Sequence, residues 1–132
     1  MKNKILFLLR LIAAAILLQT LYFKFSGAAE SKFIFSSLGM EPWGRWISGF
    51  AELIASTLML MPATSILGAV IGMGIMVGAM ASHLAILGIV VQNDGGLLFA
   101  LACVVFLCSA NIIFLQREQI PQLLKKVRAL HV

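Results

Sequence analysis

The chain has 132 residues, a formal net charge of +5, 61% hydrophobic residues and only 11% charged ones. A soluble domain of this size carries roughly 45–50% apolar and about 25% charged residues, and it leaves too much of its surface in water to hide such an apolar excess. The basic residues cluster near the ends of the chain, outside the apolar runs, so they fit anionic lipid headgroups better than nucleic acid, for which there is no soluble phosphate-binding face.

The first apolar run, Ile5 to Phe23, is interrupted only by Arg10 and Gln19. At 1.5 Å per residue it reaches roughly 29 Å, one hydrocarbon core. Lys2, Lys4 and the small residues Gly27-Ala28-Ala29 resemble parts of a signal peptide. The apolar stretch is too long for one, however, and Tyr22-Phe23-Lys24-Phe25 reads as an interfacial anchor, so a retained helix over 5–24 is expected. Residues 25–45 mix Phe33, Phe35, Leu38 and Trp43 with Lys32, Glu41 and Arg45, the composition of an amphipathic connection in the headgroup layer. Tyr22, Trp43 and Trp46 would form an aromatic belt there.

A second span is expected over 46–61, ended by Pro62, with Thr64 or Ser65 capping the next. The third, 65–91, is longer than a bilayer needs and is expected to tilt or protrude. Its Gly68-x-x-x-Gly72 and Gly74-x-x-x-Gly78 pairs predict close helix packing and a central, most buried helix. Met73, Met76 and Met80 read as core filler. Gln92-Asn93-Asp94-Gly95-Gly96 is a turn, and 97–115 is the fourth span. Cys103 and Cys108 within it point roughly 140° apart and read as packing residues. In the tail, 116–132, Leu123, Leu124, Val127 and Leu130 recur at helical spacing beside Lys125, Lys126 and Arg128, a basic surface helix.

The expected fold is therefore an all-α membrane protein. It is a single antiparallel bundle of four transmembrane helices with an amphipathic first connection and a basic C-terminal surface helix. The bias of Lys and Arg toward Lys2, Lys4, Arg117, Lys125, Lys126 and Arg128 puts both termini in the cytoplasm.

Ionisable residues at membrane depth usually face the bundle interior. With that topology, Glu52 lies roughly 9 Å and His83 roughly 12 Å below the outer boundary. Lys24 and Gln19 fall in the same layer, so these four form a candidate polar pocket from three helices. Gly49, Glu52 and Ser56 share one stripe, and Lys24 shares a stripe with Thr20. Arg10 and Asn111 lie near the inner leaflet, where Arg10 either pairs with Asn111 or snorkels to lipid phosphates. No metal cluster, nucleophile–base set, haem-ligand pair, nucleotide fingerprint or redox cysteine pair is present in the sequence, so a stand-alone enzyme is not expected.

Arg10, Lys24, the Ala51-Glu52-Leu53 element and His83, in this order and placement, resemble the DoxX family of bacterial membrane proteins over most of the chain up to Leu115. The departures are Leu21, Tyr22 and Phe23 before the lysine and Ser56 after the glutamate, where relatives carry glycines. The family takes its name from similarity to a subunit of a thiosulfate:quinone oxidoreductase. The resemblance implies a bacterial inner-membrane protein beside redox or sulfur chemistry, with a quinone as ligand and a redox protein as partner. From the residues alone three functions stay open: a quinone- or lipid-type binder, a structural scaffold for protein partners, and a proton or solute pathway. The last would need an oligomer to bridge the apolar gap between the outer polar layer and Arg10.

Overall fold

The computed structural model describes residues 2–130, and within them the chain is helical, without strands. Six α-helices follow in order: α1 Lys2–Ser26, α2 Ala29–Ser37, α3 Trp43–Leu60, α4 Ser65–Ser82, α5 Leu97–Leu115 and α6 Ile120–Leu130. A π-helical turn, His83–Leu87, extends α4. Helix α1, the stretch Pro62–Leu87 and α5 are each long and apolar enough to cross a membrane, which suggests a membrane-embedded protein. Helix α3 falls outside that group among the described residues, because Arg45 and Glu52 lower its mean hydropathy.

Each of the four long helices packs against two others: α1 and α4 both lie against α3 and α5. Their shared core is small and apolar, with Leu17, Ala55, Met59, Ala69, Val105 and Ile112 all inside it. Outside, Phe7, Ile47, Phe50, Val77, Leu84 and Leu107 are exposed. Apolar residues both inside and out are what lipid, not water, demands of a surface.

Two arginines tie α1 and α3 together at opposite ends. Arg10 on α1 donates through Nε to Met59 O at 2.7 Å and through its guanidinium to Leu60 O. Arg45 on α3 donates to Lys24 O in the last turn of α1. The last carbonyls of a helix lack intrahelical partners and carry partial negative charge, so each arginine satisfies the other helix's C-terminus. Arg10 therefore does not pair with Asn111. Asn111 is exposed and donates to Leu107 O at 2.8 Å.

Three further expectations change. Helix α4 is not the most buried: α3 buries seven of its 18 residues and α4 six of its 18. Gly68 and Gly72 do face neighbouring helices, but a Cβ on Gly74 or Gly78 would meet nothing within 4 Å. Thr64 and Ser65 do not cap α4. Thr64 donates backwards to Leu58 O at 2.8 Å, and Ser65 donates across to the buried Gln116 at 2.7 Å.

The third apolar run ends as a helix at Leu87 rather than Val91. Gly88 adopts φ +78°, a left-handed conformation that terminates the helix at little cost only in glycine. In the first connection, helix α2 buries Ser31 and Phe35 and packs on α1, α3 and the π turn, so it roofs one end of the helices. Helix α6 packs only on the turn before it and leaves Leu124, Val127 and Leu130 exposed.

Candidate functional site

The roofed end of the molecule holds a cavity of about 600 Å³. Lys24, Glu52, His83 and Gln19 all line it, together with Thr20 and Ser48. Its remaining wall is largely apolar, with Leu17, Ile34, Phe35, Met76, Leu98 and Ala102 among the contributors. Phe23, Trp43, Ile47, Gly78 and Leu97 line it while staying exposed, so the cavity reaches the outer surface.

The polar wall is built from two helical stripes. Thr20 and Lys24 are four residues apart on α1, and Ser48 and Glu52 are four apart on α3, so each pair shares a face. The Lys24 ammonium is ion-paired to Glu52 Oε1 and donates to Ser48 Oγ at 2.8 Å. Thr20 Oγ1 lies 3.0 Å from Glu52 Oε2 and 3.0 Å from Leu17 O. Both carboxylate oxygens of Glu52 thus have partners, as a side chain only 1% exposed requires. The Lys24 ammonium also sits 5.7 Å from the centre of the Phe35 ring on α2, within range of its negative face.

Above this layer Arg45 is nearly buried and forked to Glu41, with Nε 3.0 Å from each carboxylate oxygen. The sequence placed Arg45 among the charged residues of an amphipathic connection. Its aliphatic stem and guanidinium instead close the roof between α1 and α3.

His83 comes from the opposite wall and is 5% exposed. It makes no ion pair with Glu52. Its Nδ1 lies 2.9 Å from Gly88 O, and Gly88 N–H in turn donates to His83 O at 2.7 Å, so the π turn is closed by a reciprocal pair of bonds. The ring packs edge-on against Phe99 of α5, with centroids 5.6 Å apart.

Asp94 completes the rim. Its Oδ1 accepts from Val91 N–H at 3.0 Å and Gly96 N–H at 2.8 Å, and its Oδ2 from Leu98 N–H at 3.2 Å. Burial pushes the Asp94 carboxyl up, but these three backbone donors and the nearby His83 outweigh it and hold the carboxyl below its usual range. Read as a turn, Asp94 proves to be a clasp that fastens the loop to the start of α5.

Thr20 and Ser48 were the functional neighbours that the sequence showed least. Both sit one helical turn from an ionisable residue, and that spacing was the available signal. Among the described residues no group of three or more His, Cys, Asp and Glu is placed to hold a metal ion. Comparison with protein-family models, with curated proteins and with solved structures finds no match to this chain.

Proposed function

We propose that this chain is a DoxX-type protein of the bacterial inner membrane. In this reading it spans the bilayer four times, with both termini cytoplasmic, and holds a quinone- or lipid-type molecule in its polar cavity on behalf of a redox partner protein. The observation that carries the reading is the cavity: about 600 Å³ of largely apolar space meeting one buried polar wall of Lys24, Glu52, Thr20 and Ser48, with His83 opposite. An apolar chamber with a few convergent polar groups is the usual form of a small-molecule site. Its reach to the outer surface gives a lipophilic ligand a way in from the bilayer.

The topology rests on the helix ends. The start of α1 meets the end of α3 through Arg10, and the start of α4 meets the end of α5 through Ser65 and Gln116. Lys2, Lys4, Arg117, Lys125, Lys126 and Arg128 belong to that end, and the positive-inside rule assigns it to the cytoplasm. Helix α3 enters the bilayer as a span because its charges are matched inside the protein, Glu52 by Lys24 and Arg45 by Glu41.

A second reading is structural, and the full satisfaction of Glu52 favours it: Lys24 and Thr20 take both carboxylate oxygens, as they would in a network that only fixes helix register. Thermal melting of the purified protein in detergent separates the two. A ligand that binds only the folded state stabilises it, by about 2.7 kcal/mol at a hundredfold excess over Kd. A quinone is expected to raise the melting temperature of the wild type and to have no effect on folded Glu52→Gln, in which Lys24 loses its charge partner. A variant that melts earlier, with no quinone effect on either protein, would leave the structural reading standing.

A further inference from the structure

We infer that the cavity selects a ligand whose head group carries a hydroxyl donor, a phenol or quinol in preference to a quinone carbonyl. This rests on the ligand-binding reading above and adds the chemistry of the head group.

The argument begins at the His83–Gly88 bond. A backbone carbonyl oxygen can only accept, so the contact of 2.9 Å between His83 Nδ1 and Gly88 O fixes the proton on Nδ1. In the uncharged ring Nε2 is then a bare lone pair, an acceptor. It has no hydrogen-bond partner among the described residues, and His83 lines the cavity. Gly88 takes one bond from the ring and gives one to the His83 backbone, and the edge-on contact with Phe99 orients the ring's plane, so the tautomer and the orientation are set before a ligand arrives.

On the other wall the acceptor oxygens of Glu52 are taken. Glu52 accepts from Lys24 and Thr20 and is 1% exposed. Thr20 contacts Leu17 O and Glu52, and Ser48 Oγ accepts from Lys24. Lys24 has three N–H donors, of which two are placed, on Ser48 and Glu52. These bonds leave for a ligand one ammonium N–H and the Ser48 O–H on one wall and the imidazole lone pair on the other, in a chamber that Gln19, Glu30, Ser31 and Asp94 also line. A quinone has only carbonyl oxygens, which satisfy the ammonium and leave Nε2 facing a second lone pair. A quinol supplies an O–H to Nε2 and an oxygen to Lys24. A buried acceptor left unpaired lowers affinity more than a made bond raises it, so a difference of about tenfold is expected between the two forms.

The test uses a decyl-tailed benzoquinone and the corresponding benzoquinol with the full chain in detergent, under argon so that the quinol stays reduced. Affinity is read from the concentration dependence of thermal stabilisation. The expected result is binding of both, the quinol about tenfold tighter. His83→Asn keeps a donor amide near the Nδ1 position and removes Nε2, and it is expected to erase the preference while still binding the quinone. His83→Gln, whose amide oxygen extends toward the Nε2 position, is expected to restore part of it. Equal affinity of quinone and quinol for the wild type overturns this inference and leaves the binding reading intact. A preference that persists in His83→Asn overturns the assignment to Nε2. Binding of neither form overturns the binding reading and this inference with it.

Discussion

Lys24 and Glu52 illustrate how a charge survives inside an apolar protein. Neither is tolerable alone at that depth, and the pair is held by a hydroxyl on each helix, Thr20 and Ser48. Their meeting was legible because each lies on a polar stripe of known period. The same reasoning failed for Arg10, whose partners are the backbone carbonyls of Met59 and Leu60, which side-chain patterns do not display. Asp94 gives a prediction at this scale. Its carboxyl is held below its usual value, so its folded form favours charge. The stability it adds is full above the unfolded value of about 3.9 and is lost as pH falls through the lower folded value. Asp94→Ala is expected to cost about 1 kcal/mol near neutrality, as a lost helix cap does. The gap between the variant's and the wild type's denaturation midpoints should close on acidification. A gap independent of pH would remove the charged clasp from the account.

At the scale of elements, α4 separates what a glycine motif promises from what it delivers. Two small-xxx-small pairs occupy one helix, yet only Gly68 and Gly72 are used within the chain. A Cβ on Gly68 would lie 2.5 Å from Met59 N and 2.7 Å from Ala55 O, both backbone atoms that cannot turn aside. Gly68→Ala must therefore push α3 and α4 apart, at an expected 1–3 kcal/mol or about that. A Cβ on Gly74 or Gly78 meets nothing within 4 Å, so Gly74→Ala and Gly78→Ala are expected to be neutral or to gain a few tenths of a kcal/mol, roughly, from helix propensity. Melting of the three variants side by side checks this, and equal losses at Gly68 and Gly74 would contradict the packing. The sequence could not distinguish the pairs, because GxxxG reports that a close approach is available and not which face has a neighbour. Gly88 was missed for a similar reason: an isolated glycine in a long apolar run gives no sign of its backbone angle, and here that angle ends the helix and brings its carbonyl to His83.

For the whole molecule, composition and the apolar runs conveyed most of the architecture. The long helices, the breaks at Pro62 and at 92–96, and the polar residues at one end all follow from hydropathy and spacing. The cavity itself was not legible. Lys24, Glu52 and His83 specify a polar layer, but whether that layer is open depends on α2. Its short apolar face, Phe35 above all, folds over the helix ends and roofs a space instead of filling it.

The central claim is that this space is a ligand site, and filling it tests that claim without touching the polar wall. Ala79 lines the cavity and is only partly buried, so Ala79→Phe projects a ring into it. The decisive measurement is the melting temperature of the wild type and Ala79→Phe in detergent, each with and without a quinone or quinol. The account predicts a ligand-dependent rise for the wild type and a folded Ala79→Phe that does not respond. An equal rise in both proteins, or no rise in either, would contradict it.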